Sequence, residues 1–187
     1  MLNIPATLVL SILMGVCLGF SLNMLNVRVA PEYFGRVTAV STPTTVAIFH
    51  GIVEGGLLGL VVGVLFTLLA GGFAWRHFRF GNTIVPLTMC YAAAATCIVI
   101  GGVAGSTFGR LDPAGYQALF PVARRASSLP AFGWVGGSIW GSYAGSFVGL
   151  YVGCRWFLRR TRTLDRQVRG FPLEESAANG SRMGATR

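Results

Sequence analysis

Two residues could do chemistry within an apolar stretch of this chain. His50 and Glu54 stand four residues apart, a spacing that puts both side chains on one face of a helix. An imidazole and a carboxylate held together can relay a proton, ligate an ion or bond a partner. Near a membrane interface such a pair can equally be structural. Glu54 is the one charged residue between Thr44 and Phe73. The other histidine, His77, follows 27 residues after His50, roughly 40 Å along a helix, so one haem cannot bridge the two. Cys17, Cys90, Cys97 and Cys154 each sit in an apolar run without a Cys-x-x-Cys pair, which reads as small apolar residues. No Ser-His-Asp set, paired intramembrane carboxylates, phosphate loop or metal-ligand cluster is visible. Neither an enzyme, a cofactor nor a metal is expected.

The elements that must position His50 and Glu54 follow from composition. The 187 residues are 53% hydrophobic and 11% charged, where soluble domains carry about 25% charge. That excludes a soluble domain, and with it a disordered, collagen-like or disulfide-scaffold chain. The net charge of +9 comes from 15 arginines and no lysine. The arginines lie at the ends of long apolar runs, a membrane pattern rather than a nucleic-acid surface. A bilayer core of ~30 Å needs about 20 apolar residues. Four segments qualify: Pro5–Leu25, Val46–Trp75, Thr83–Phe108 and Ala131–Leu158. The first lacks a preceding basic region and is too long for a signal peptide, so it reads as a retained span.

The expected fold is therefore an all-α integral membrane protein of four transmembrane helices over residues 1–160, followed by a basic, flexible tail over 161–187. Eight arginines flank the spans on the side of the termini and five on the other. That places both termini in the cytoplasm of a multi-pass inner-membrane protein. Asp112-Pro113 starts a short helix, expected at the interface with Tyr116, Leu119 and Phe120 partly in lipid. Ala30-Pro31 makes a similar start. Trp75, Phe78, Phe80, Trp134, Trp140, Trp156 and Phe157 read as an interfacial belt.

A shift of 82 residues places Gly51, Gly55, Gly59 and Gly63 on Gly133, Gly137, Gly141 and Gly145. It also places Gly19 on Gly101, Arg28 on Arg110 and Pro31 on Pro113. This suggests a tandem duplication of a helix–loop–helix hairpin, with repeats at about 1–78 and 83–160. Gly149 and Gly153 extend the second stripe to six glycines at four-residue spacing. In lipid, such stripes let helix backbones approach closely. Four residues advance about 400°, so a stripe drifts roughly 40° per step. A partner must then cross it right-handedly, or different parts must meet different neighbours. The sharpest expectation has the second and fourth spans packed on each other.

The duplicated, glycine-rich architecture resembles the proteolipids of V-type rotors, but Glu54 stands off-centre in the second span. Ala30–Arg36 is similar to a loop of major-facilitator transporters. Neither resemblance carries a residue role over. The expected function is a structural or accessory subunit, or a homo-oligomer, held by glycine-zipper packing. Its partners would be the bilayer and other membrane subunits or copies of itself, not nucleic acid. The alternative is a small channel or transporter with a proton or ion site at His50 and Glu54.

Overall fold

A computed structural model describes residues 4–35 and 42–169, and places long helices at each expected apolar run. They are α1 (Ile4–Val29), α3 (Pro43–Phe66), α5 (Phe80–Leu111) and α7 (Leu129–Arg169). Short helices α2 (Pro31–Phe34) and α6 (Pro113–Leu119) follow α1 and α5. A π segment at Thr67–Gly71, the short α4 (Gly72–Ala74) and a 3-10 turn at Trp75–His77 prolong α3. The starts follow capping chemistry. The Thr42 hydroxyl accepts from the Thr45 amide ahead of Pro43, so α3 begins three residues before the expected Val46. Asp112 accepts from the Gly115 amide at 2.9 Å and starts α6 at Pro113.

Three helical runs are long and apolar enough to cross a membrane: Ile4–Val29, Pro43–His77 and Phe80–Leu111. α7 is not among them, because glycine and serine dilute its hydropathy. It also continues through Thr161 to Arg169, beyond the point where the tail was expected to begin. The rest of that tail, Arg36 and the first three residues lie outside the described residues.

The helices pack as two pairs, α1 on α3 and α5 on α7. Glycine makes the approach possible. A methyl added at Gly15, Gly19, Gly51, Gly55 or Gly59 would come within 3.0 Å of the opposing helix. The same holds at Gly133, Gly137, Gly141, Gly145, Gly149 and Gly153 against α5, and at Gly63 against the Ser11 side chain. The two stripes therefore face the partner within each hairpin rather than each other, which corrects the expected packing of the second span on the fourth. All six glycines of α7 stay on α5. A contact repeat longer than 3.6 residues demands a right-handed winding of the pair.

The two interfaces match atom for atom. Gly15 faces the Gly55 carbonyl and Gly59 Cα, as Gly101 faces the Gly137 carbonyl and Gly141 Cα. Gly59 faces the Ser11 carbonyl and Ile12 Cα, as Gly141 faces the Cys97 carbonyl and Ile98 Cα. The second helices correspond at an offset of 82, but the first helices at 86: Gly15 matches Gly101 and Gly19 matches Gly105. This corrects the pairing of Gly19 with Gly101. The cause is local, since Gly19 precedes Pro31 by 12 residues and Gly105 precedes Pro113 by 8. α1 thus carries one more helical turn before its short helix.

Between hairpins the contact changes character. Thr7 meets Thr83, Ser11 meets Tyr91, and Ser138 donates to the Asn26 amide oxygen. Most of the buried polar side chains lie along this seam. Apolar clusters close its ends. Phe66, Phe78 and Phe157 pack with Leu87 and Leu150 at one end; Val27, Phe34, Val46 and Val135 pack at the other. Phe78 and Phe157 are therefore core residues and not part of an interfacial belt. Tyr116 is likewise buried, against Phe132 and Ala123, while Leu119 and Phe120 are exposed.

Candidate functional site

The His50 Nδ1 and Glu54 Oε1 atoms lie 2.9 Å apart, one turn apart on α3. Both are half-exposed and face a crevice between the hairpins. Asn23 from α1, Tyr33 and Phe34 from α2, and Ile139 and Tyr143 from α7 complete a cavity of about 220 Å³. A smaller one of about 30 Å³ continues inward past Asn23, Glu54 and Ser142. The first has room for several waters and the second for one or two.

Asn23 reaches this place because it is the next four-residue step after Gly15 and Gly19. It is 4% exposed, and its Oδ1 has no hydrogen-bond partner. A buried amide oxygen without a partner costs about 1–3 kcal/mol, which a ligand or ordered water at this point would offset. The hairpin match makes the site one-sided. At the same offsets, Asn23, His50 and Glu54 correspond to Gly109, Phe132 and Gly136. Gly109 lies against the Leu129 carbonyl. Where the second hairpin closes on itself, the first carries an amide, an imidazole and a carboxylate.

Tyr33, on the loop side of the crevice, has its pKa raised above 10.0, first by burial, then by the Glu54 charge and by Tyr143. Its hydroxyl therefore stays protonated, able to accept a cation's contact or donate to Glu54. The Pro43–His77 run of 35 residues is about 52 Å long. Centred on a ~30 Å hydrocarbon core, it puts Glu54 about one turn inside the core boundary.

Toward the arginine-rich end the seam is shut. The Ser11 and Tyr91 hydroxyls are 2.9 Å apart, and Tyr91 donates to the Ser11 carbonyl at 2.6 Å. Beyond them the Phe66, Phe78 and Phe157 rings stack at centroid separations of 5.9–6.3 Å.

The structure brings the expected pair His50 and Glu54 together and leaves His77 at the far end of the same run. Asn23, Ser142 and Tyr143 are additions that the sequence reading missed. One signal was available: Gly137-Ser138, Gly141-Ser142 and Gly145-Ser146 are doublets at four-residue spacing. The glycines face α5, and the serines lie about 100° round the helix, where Ser138 and Ser142 meet the first hairpin.

Among the described residues, no three His, Cys, Asp or Glu side chains converge as a metal site. The Ser142 hydroxyl donates to the Ile139 carbonyl at 2.7 Å, so it is not poised as a nucleophile. A carboxylate, an amide oxygen and tyrosine hydroxyls form a set of hard oxygen ligands. Such a set suits a small cation. No family model, curated protein or solved structure matches this chain.

Proposed function

We propose that the chain is a four-span membrane protein, built by duplication of a hairpin, that admits a small monovalent cation to Glu54. One observation carries this reading: the buried Asn23 oxygen without a partner, beside the Glu54 carboxylate in a hydrated crevice. The matched glycine contacts support the duplication. The fourth span is supported by α7 lying along the whole of α5, with Phe147, Val148 and Tyr151 turned outward. The polar seam below the site is the route the cation takes once the Phe66–Phe78–Phe157 cluster opens. His50 sets the charge: when protonated it neutralises Glu54 and releases the cation. The arginine-rich end, with both termini, is assigned to the cytoplasm of the inner membrane.

The role as an accessory subunit or homo-oligomer held by glycine packing has less support. Both stripes are engaged within the chain's own hairpins, so no glycine groove is left for a partner to fill.

The test is carbodiimide labelling of Glu54, read by intact mass. Sodium or potassium should slow labelling relative to choline at equal ionic strength, and Glu54→Gln should abolish the adduct. Equal rates in all three salts would overturn the reading.

A further inference from the structure

Four arginines gather at the opposite end of the molecule from the crevice, around two adjoining grooves. Arg155, Arg159 and Arg162 of α7 line a groove of about 670 Å³, walled by Leu69, Phe73, Phe147 and Tyr151. Arg162 and Phe73 continue into a second groove of about 590 Å³, which Arg76 enters from the end of the α3 run. The three α7 arginines follow each other at four and three residues, so they form one row. Arg155 is held in place by donating to the Tyr151 hydroxyl at 2.7 Å. Among the described residues the ion pair is His50–Glu54, so these guanidinium groups have no carboxylate partner there.

The grooves thus combine two chemistries in a fixed order. Apolar walls from the π segment, α4 and α7 lie at membrane depth, and guanidinium groups stand where the apolar run ends. A guanidinium fork matches phosphate oxygens in pairs. Basic grooves between membrane helices take anionic headgroups.

We infer that this groove is a binding site for an anionic phospholipid. Its phosphate sits among Arg155, Arg159, Arg162 and Arg76, and an acyl chain lies along Leu69, Phe73 and Phe147. The inference does not depend on the cation reading, because the site lies at the other end of the bundle and shares no residue with it.

The experiment is native mass spectrometry of the full chain, delipidated in mild detergent and titrated with phosphatidylglycerol or phosphatidylcholine. Phosphatidylglycerol adducts should predominate. Each arginine contributes about fivefold, so the triple variant Arg155→Gln/Arg159→Gln/Arg162→Gln should weaken them by on the order of 100-fold. Arg28→Gln and Arg110→Gln, at the other end, should leave them unchanged.

Should the triple variant fold poorly, Leu69→Trp keeps every charge and fills the acyl groove, and it too should weaken binding. Competition with inorganic phosphate separates a lipid site from a bare anion site: millimolar phosphate should not displace the lipid. Equal adducts with both lipids, displacement by phosphate, or indifference to both the arginine and Leu69 variants would overturn the inference.

Discussion

Gly137→Ala against Gly136→Ala is the sharpest test of the hairpin interface. Both residues lie in the middle of α7, so any gain in helix propensity, about 1 kcal/mol for Gly to Ala, cancels between them. Their surroundings differ. A Cβ at Gly137 would fall within 3.0 Å of the Gly101 carbonyl and 3.2 Å from Gly105 Cα. At Gly136 the nearest atom is the Tyr116 hydroxyl at 3.6 Å, an ordinary contact. Neither Gly101 nor Gly105 has a side chain to move aside, so α5 and α7 must part. A gap of 0.5–1 Å forfeits a quarter to a half of each dispersion contact, and overpacking costs typically 1–3 kcal/mol. Gly137→Ala should therefore be less stable than Gly136→Ala by about 1–3 kcal/mol. Unfolding in mixed micelles of rising dodecyl sulfate content, followed by circular dichroism, measures the difference. Equal stabilities would refute the claim that the stripe is spent on the α5–α7 contact.

The seam between hairpins gives a second expectation: Ser138→Ala removes the donor to the fully buried Asn26 and should destabilise by about 0.6–1.7 kcal/mol, measured in the same way. A third concerns Tyr33, whose folded pKa is raised above 10.0 by burial and by Glu54. Above pH 10 the unfolded chain loses a proton that the fold retains, so this contribution to stability falls as pH rises past the unfolded value. Tyrosinate absorbance, compared with Tyr33→Phe, should show the Tyr33 component appearing later in wild type than in Glu54→Gln.

What was legible in the sequence was local. Stripes at four-residue spacing announce close packing, because a missing side chain is a property of one helix. Asp112-Pro113 and the His50–Glu54 turn are local in the same sense. What the stripes meet was not legible: the drift of a stripe describes its own helix and leaves the choice of partner to tertiary packing. The one-turn difference between the first helices hid the true match of Gly15 with Gly101, since a four-residue repeat aligns with itself after every slip of four. Phe78 and Phe157 look like belt aromatics by position, and only the fold turns them inward. Asn23 was passed over because its meaning depends on Glu54, 31 residues away, and on the Gly109 that replaces it in the second hairpin.

The most direct measurement is cation movement in proteoliposomes, with sodium- or potassium-sensitive dye inside. Wild type should move cation at least about tenfold faster than Glu54→Gln, the loss expected when a charged ligand worth about 1.5–3 kcal/mol is removed. Arg28→Gln should match wild type. Movement no faster than in empty liposomes, or equal in wild type and Glu54→Gln, would contradict the assignment of the crevice as a cation site.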